Sequence, residues 1–135
     1  MGRRDTHGGV VLPGTLLKRR LLQPRIHPRI VGRNDLQQSN GTLLNYVDQP
    51  DSFADSASTA LLAATTLRYS LLTSDSKHDA AALQALELAF SSIDEDGWLL
   101  NTVDPEAWTT SSTNGSYSPE GQSFVLLLAA AWAAY

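Results

Sequence analysis

One stretch of this chain occurs twice. Asn40-Gly-Thr-Leu-Leu-Asn-Tyr-Val-Asp48 returns as Asp96-Gly-Trp-Leu-Leu-Asn-Thr-Val-Asp104, with every position displaced by 56 residues. Both copies read turn-Gly, Leu-Leu, Asn, Val-Asp. Both then pass through a polar segment carrying an aromatic (Phe53, Trp108) to a Ser-rich start and an Ala/Leu-rich run. A repeat of that length fits one helical hairpin with its loops, and such a unit buries its apolar face only by stacking on neighbours. The chain is therefore expected to be an assembly of helical hairpins, with its function where they meet.

The helices can be read from periodicity and caps. Ala60, Leu61, Ala63, Ala64, Leu67 and Leu71 recur at i, i+3, i+4, i+7 spacing behind Asp55 or Ser56 as cap, which predicts a helix over 55–72. Thr73-Ser-Asp-Ser76 ends it and offers the next cap, and the Ala/Leu run that follows predicts a helix over 79–93. Ser118-Pro119 is a cap followed by a proline at the first helical position, predicting a third helix over 119–134. That last helix is apolar nearly all round from Phe124 through Trp132, so it calls for cover on several sides. Between the helices, Asp94-Glu-Asp-Gly97 and Asn114-Gly115 read as tight turns within long irregular loops. Loops of that length held by rigid helices are common homes for binding sites.

Charge divides the chain. Residues 1–33 hold eight of the ten Lys+Arg against one acid, whereas residues 34–135 hold two bases against thirteen acids. Residues 1–35 are expected to be a basic, poorly ordered arm with at most a short helix over 15–22, and residues 36–135 a folded helical domain. Nucleic acid is not the expected partner of the arm, because no aromatic interleaves with its arginines to stack on bases. Met1-Gly2-Arg-Arg-Asp-Thr6 fits the loose myristoylation pattern, which short sequences match by chance. No run approaches the roughly 18 apolar residues of a membrane span, no persuasive signal peptide is present, and the compartment stays unassigned. The sequence holds no cysteine, and His7, His27 and His78 lack metal-ligand spacing, so no metal is expected. Asn40-Gly-Thr42 and Asn114-Gly-Ser116 are glycosylation sequons.

Five residues are candidates for the site. Asp48 and Asp104 occupy equivalent repeat positions and suit paired-carboxylate glycoside chemistry, or else fix their loops as hydrogen-bond acceptors. Asn45 and Asn101 can bond sugar hydroxyls or hold the same loops. Trp98 can stack on a sugar face, as can Trp108 beside it, or anchor in the core. Asp55 and Glu120 open the following helices, where an acid most often serves as a cap.

Gly41-Thr-Leu-Leu-Asn-Tyr-Val-Asp-Gln-Pro-Asp-Ser-Phe-Ala-Asp-Ser-Ala-Ser-Thr-Ala60 resembles the Gly-Leu-Trp-Tyr-Gln-Val-Leu-Asp segment, with its following Pro, aromatic and Glu-Thr-Ser-Ala-Ser-Ala, of the unsaturated rhamnogalacturonyl hydrolases of glycoside hydrolase family 105. It is most similar to fungal six-hairpin glycosidase-like proteins. Tyr117-Ser-Pro-Glu-Gly-Gln-Ser-Phe-Val-Leu-Leu-Leu is similar to that family's closing hairpin. The resemblance spans residues 36–135 and implies an all-α fold, an (α/α)6 barrel of which this chain holds the C-terminal portion, with the arm foreign to the barrel, as from a truncated gene model. It implies a cofactor-independent hydrolase of pectin-type oligosaccharides ending in an unsaturated uronic acid, with that oligosaccharide as partner and with Asn45, Asp48, Trp98, Asn101 and Asp104 lining the sugar site. The family's Trp-x-Arg-Gly-Asn-Gly-Trp segment is echoed only by Gly32-Arg33-Asn34, and the hairpins that supply its catalytic aspartate have no counterpart here. The catalytic residues are therefore unassigned, and residues 1–135 alone are expected to be inactive and poorly soluble. A non-catalytic hairpin module that binds carbohydrate or a protein is the alternative.

Overall fold

The computed structural model describes residues 36–113 and 115–135. The expected basic arm, its short helix, the myristoylation pattern, Gly32-Arg33-Asn34 and the residue Asn114 of the second sequon lie outside the described residues.

Three helices carry the fold. α1 is Ser56–Thr73, α2 is Asp79–Ser91 and α3 is Pro119–Ala134, close to the spans expected from periodicity. The Asp55 carboxylate caps α1, accepting from Ala57 N at 3.0 Å and Ser58 N at 3.2 Å. Ser118 caps α3 by accepting from Gly121 N at 3.0 Å, with Pro119 in the first turn. Each cap satisfies backbone donors that have no partner inside the helix. α1 ends at Ser74, which takes the left-handed conformation and returns its N–H to Ser70 O at 2.7 Å. α2 starts differently from expectation. His78, not a residue of the Thr73–Ser76 segment, sits at its N-cap without a side-chain bond and is half-buried.

α1 is the central element, with α2 packed on one side and α3 on the other, while α2 and α3 scarcely meet. Its composition explains this. Ala57, Ala60, Ala63 and Ala64 are buried together with Leu67, and they face Ala82, Ala85 and Ala89 of α2 and Leu128 and Ala131 of α3 within one core. Small side chains on both partners let the helices approach closely, while the fully buried Leu67 and Leu128 each contribute about 1.5–3 kcal/mol through the apolar area they remove from water. α3 buries the stripe Gly121, Val125, Leu128, Ala131, with Phe124 packed partly against the same core. Leu126 and Leu127 on its far side are 64% and 54% exposed, so among the described residues nothing supplies the cover that its sequence calls for. An apolar groove of about 280 Å³ runs along this side between α1 and α3, lined by Leu61, Leu72 and Leu127 with Arg68 beside them.

The loops are less irregular than expected, and the all-α reading needs correcting. Each copy of the repeat contributes a short antiparallel strand pair: β1 (Leu43–Leu44) with β2 (Ala54–Asp55), and β3 (Val103–Asp104) with β4 (Ala107–Ser111). Two-residue strands are too short to show a period of 2 in sequence, and β4 is exposed along most of its length, so no apolar alternation announces it. The pairs do equivalent work. In both copies a glycine turn (Gly41 φ +95, Gly97 φ +88) aims a leucine into the core (Leu43, Leu99). In both, a side chain four residues past a helix cap receives that leucine's N–H: Thr59 Oγ1 at 2.9 Å in the first copy and Gln122 Oε1 at 3.1 Å in the second. The repeated unit is thus a strand pair feeding a helix, built twice around a shared core. No helix among the described residues is long and apolar enough to cross a membrane.

Candidate functional site

Because α1 and α3 start from equivalent strand pairs, their N-terminal ends and both sets of loops come together. Between them lies an open cleft of about 570 Å³. The first copy contributes Asn45, Tyr46, Asp55 and Ser58, and the second contributes Pro105, Trp108, Ser118, Glu120 and Phe124. Both helix caps are therefore part of the cleft wall, which places backbone donors and their carboxylate or hydroxyl acceptors at its floor. Asp55 is 3% exposed and also receives the Ser58 hydroxyl. Glu120 is exposed in the first turn of α3 and its Oε2 accepts from Ser118 Oγ at 3.2 Å.

Trp108 forms the rim. Its indole is 72% exposed on β4, with Nε1 donating to Pro105 O at 3.3 Å. Its carbonyl accepts from Asn45 Nδ2 at 2.7 Å, a bond that joins the two repeat copies across 63 positions of sequence. The short strand that carries Trp108 exists because the second copy runs longer. From Asp48 the chain reaches the α1 cap at Asp55, whereas from Asp104 it continues to Ser118 before α3 begins.

The five sequence candidates part company here. Only Asn45 lines the cleft, and there it ties the two loops together. Asp48 is exposed in the first loop outside the cleft wall. Asp104 turns its own loop, with Oδ1 accepting from Glu106 N at 2.9 Å. Asn101 adopts a left-handed φ of 57° and its carbonyl accepts from Ser56 N at 3.1 Å, so its backbone bridges the second copy to the start of α1. Trp98 stacks on Tyr117 with ring centroids 4.7 Å apart, away from the cleft wall. Trp108, the alternative stacking residue read from the sequence, does line the cleft, and so does Glu120, read there as a helix-opening acid. Tyr46, Ser58 and Phe124 were not singled out; Ser58 and Phe124 follow the two helix caps, and both caps open onto the same space.

A second polar cluster joins the three helices. The buried Asp79 at the start of α2 accepts from Ser70 Oγ of α1 at 3.0 Å and from the Tyr135 hydroxyl beyond α3 at 2.7 Å. The hydrogen bond to Asp79, and to a lesser degree burial and the carboxylate's charge, push the Tyr135 hydroxyl above the usual tyrosine range. Among the described residues no group of three or more His, Asp or Glu side chains could hold a metal ion.

No family model and no curated protein matches the sequence. Solved structures do match in fold. A possible member of glycoside hydrolase family 105 from Salmonella enterica superposes with a TM-score of 0.71 at 21% identity, over 90% of this chain and 34% of that one. A possible member of the same family from Klebsiella pneumoniae gives 0.70 at 18% identity, over 93% of this chain and 35% of that one. The chain thus spans about a third of the length of the structures it matches. The resemblance read from the repeated segment is present in three dimensions as well, and this chain has the fold of the C-terminal portion of those glycoside hydrolase family 105 structures.

Proposed function

We propose that the chain is the C-terminal portion of an (α/α)6 glycosidase barrel acting on unsaturated uronide-terminated oligosaccharides of the pectin type, and that the cleft between the two repeat copies is part of its sugar-facing end. The observation that carries this reading is the cleft itself: an open, mixed polar and aromatic cavity at the N-terminal ends of two helices, on a fold shared with two possible members of a glycosidase family. The uncovered face of α3 supports the barrel. Leu126 and Leu127 form an exposed apolar surface of the kind that further hairpins would cover.

On its own the chain binds sugar without hydrolysing it. Glycoside chemistry needs a proton donor held in a closed, dry pocket, and here Glu120 stands in an open cleft. The test is a titration with the unsaturated rhamnogalacturonan disaccharide. Nuclear magnetic resonance signals of Tyr46, Ser58 and Trp108 should move, while the ultraviolet absorbance of the sugar's double bond stays constant. Turnover above the buffer blank that disappears in Glu120→Gln would overturn the non-catalytic part of this reading. The same preparation should self-associate in light scattering, and the double substitution Leu126→Glu with Leu127→Glu should return it to a monomer.

A further inference from the structure

Two surfaces on the helices, both away from the cleft wall, complement each other. The first is the groove of about 280 Å³ between α1 and α3. Its walls are apolar, with Leu61 and Leu72 from α1 and Leu127 from α3, all three exposed. Arg68 stands among them, exposed and four residues before Leu72. Residues 34–135 hold two bases, Arg68 and Lys77, against thirteen acids. A guanidinium set between leucines is therefore an exception on an acidic domain.

The second surface is the outer flank of α2. Ala80, Leu83, Glu87 and Phe90 recur at i, i+3, i+7, i+10 and so share one stripe. Ala80 and Glu87 are exposed, and Leu83 and Phe90 pack only partly against the core. The neighbouring stripe is covered, since Gln84 donates to Ser39 O at 2.8 Å and lies against Gly41. α2 holds two acids, of which Asp79 is buried and bonded to Ser70 and Tyr135. Glu87 is the carboxylate that the helix offers outward.

Groove and flank match in spacing and in sign. A rise of about 1.5 Å per residue puts Arg68 about 6 Å along the axis from Leu72, and Glu87 about 6 Å from Leu83. Each surface sets a charge one helical turn from a leucine and continues apolar beyond it, and an amphipathic helix laid in a groove reads such a pattern. From this complementarity we infer that a second copy of the chain docks here, its α2 seated in the groove between α1 and α3 with Leu83 and Phe90 on the leucine walls and Glu87 against Arg68. The apolar contact supplies affinity, while the charge pair fixes the register and the choice of helix. Because groove and flank are different surfaces, each added copy leaves one of each open, and association continues past the dimer. The inference goes beyond the carbohydrate reading and stands without it.

The test follows the full chain by sedimentation velocity over a range of concentrations, where the average sedimentation coefficient should rise with concentration. Arg68→Glu and Glu87→Arg should each weaken association about three- to tenfold, as an exposed attractive pair becomes a repulsive one. The variant carrying both reversals should recover it, and so should an equimolar mixture of the two single variants. Leu126→Glu, on α3 but outside the groove wall, should leave association unchanged. The replaced side chains are exposed, so core signals in nuclear magnetic resonance spectra should stay in place, and Arg68→Gln with Glu87→Gln carries the test if a reversed variant does not fold. A chain that stays monomeric at every concentration would overturn the inference. So would association that ignores both charge changes or falls with Leu126→Glu, which would assign the contact to the far side of α3. Loss in both single variants without recovery in the double variant or the mixture would overturn the pairing of Glu87 with Arg68, and the inference with it.

Discussion

Gly41 and Gly97 make the same left-handed turn in the two copies of the repeat, yet their surroundings differ. A Cβ on Gly41 would stand 2.8 Å from Gln84 Cγ and 3.1 Å from the Gln84 carbonyl, because the first turn is pressed against α2. A Cβ on Gly97 would meet nothing within 4 Å. The first copy is clamped from two sides, with Gln84 Nε2 donating to Ser39 O at 2.8 Å and Gln37 Nε2 donating to Gly41 O at 2.7 Å and Ala81 O at 3.0 Å. The second is held mainly from one, by Gln122, which donates to Gly97 O at 2.9 Å and accepts from Leu99 N. Similar local sequence therefore serves a rigid copy inside the bundle and a freer copy at its edge. The freer copy is the one that carries the long loop and Trp108.

The largest effect should come from breaking this difference at the glycines. Gly41→Ala combines left-handed strain with a clash against the Gln84 side chain and tight contact with its backbone and should cost about 3 kcal/mol, whereas Gly97→Ala meets only the strain and should cost about 1 kcal/mol. Denaturant midpoints of the two variants measure the gap, and equal losses would mean that the two turns are held alike.

Next come the two side chains that receive the leucine N–H groups. Thr59→Val leaves Leu43 N without its acceptor in a fully buried place and should cost about 2 kcal/mol. Gln122→Met does the same to Leu99 N at a half-buried place, where water can substitute, and should cost about 1 kcal/mol. A reversed order would show the second copy to be the more tightly built one.

A smaller effect sharpens how the copies are tied. Asn45→Ala removes the bond to the Trp108 carbonyl at an exposed position, so global stability should fall by about 0.5 kcal/mol. Amide exchange along 107–111 should nevertheless accelerate while 54–55 is unaffected.

The smallest effect concerns how the two helices end. α1 closes on its own left-handed Ser74, but Tyr135 after α3 is tied to Asp79 of α2. Tyr135 binds its proton more tightly when folded than when unfolded, so its contribution is fully present below the ordinary tyrosine value of about 10 and is lost as pH rises through the folded value. Melting temperatures of Tyr135→Phe should show less decline than the parent between neutral and strongly alkaline pH. Parallel curves would assign the alkaline loss to Tyr69, whose hydroxyl is raised in the same direction, chiefly by burial.

The helices, the caps of α1 and α3 and the repeat were legible in the chain because each is a local matter. Periodicity places Ala60 and Leu67 on a buried face, Asp55 and Ser118 reach only two or three residues ahead, and Gly41 and Gly97 announce their turns wherever they stand, whereas the all-round apolar α3 gave no sign that Leu128 rather than Leu126 would be buried. Which polar loop residues face a common space could not be read that way. Asn45 and Asn101 are equivalent in sequence, yet one side chain reaches the Trp108 carbonyl while the other residue's backbone serves Ser56. Asp48 and Asp104 separate in the same manner, one exposed and one closing its own turn. Loop side chains carry no period, and their direction follows from strand pairing between residues far apart and from a second loop longer than the first. Sequence thus determined the repeated unit and its helices, while packing of one copy against the other decided that Trp108, and not Trp98, stands over the cleft.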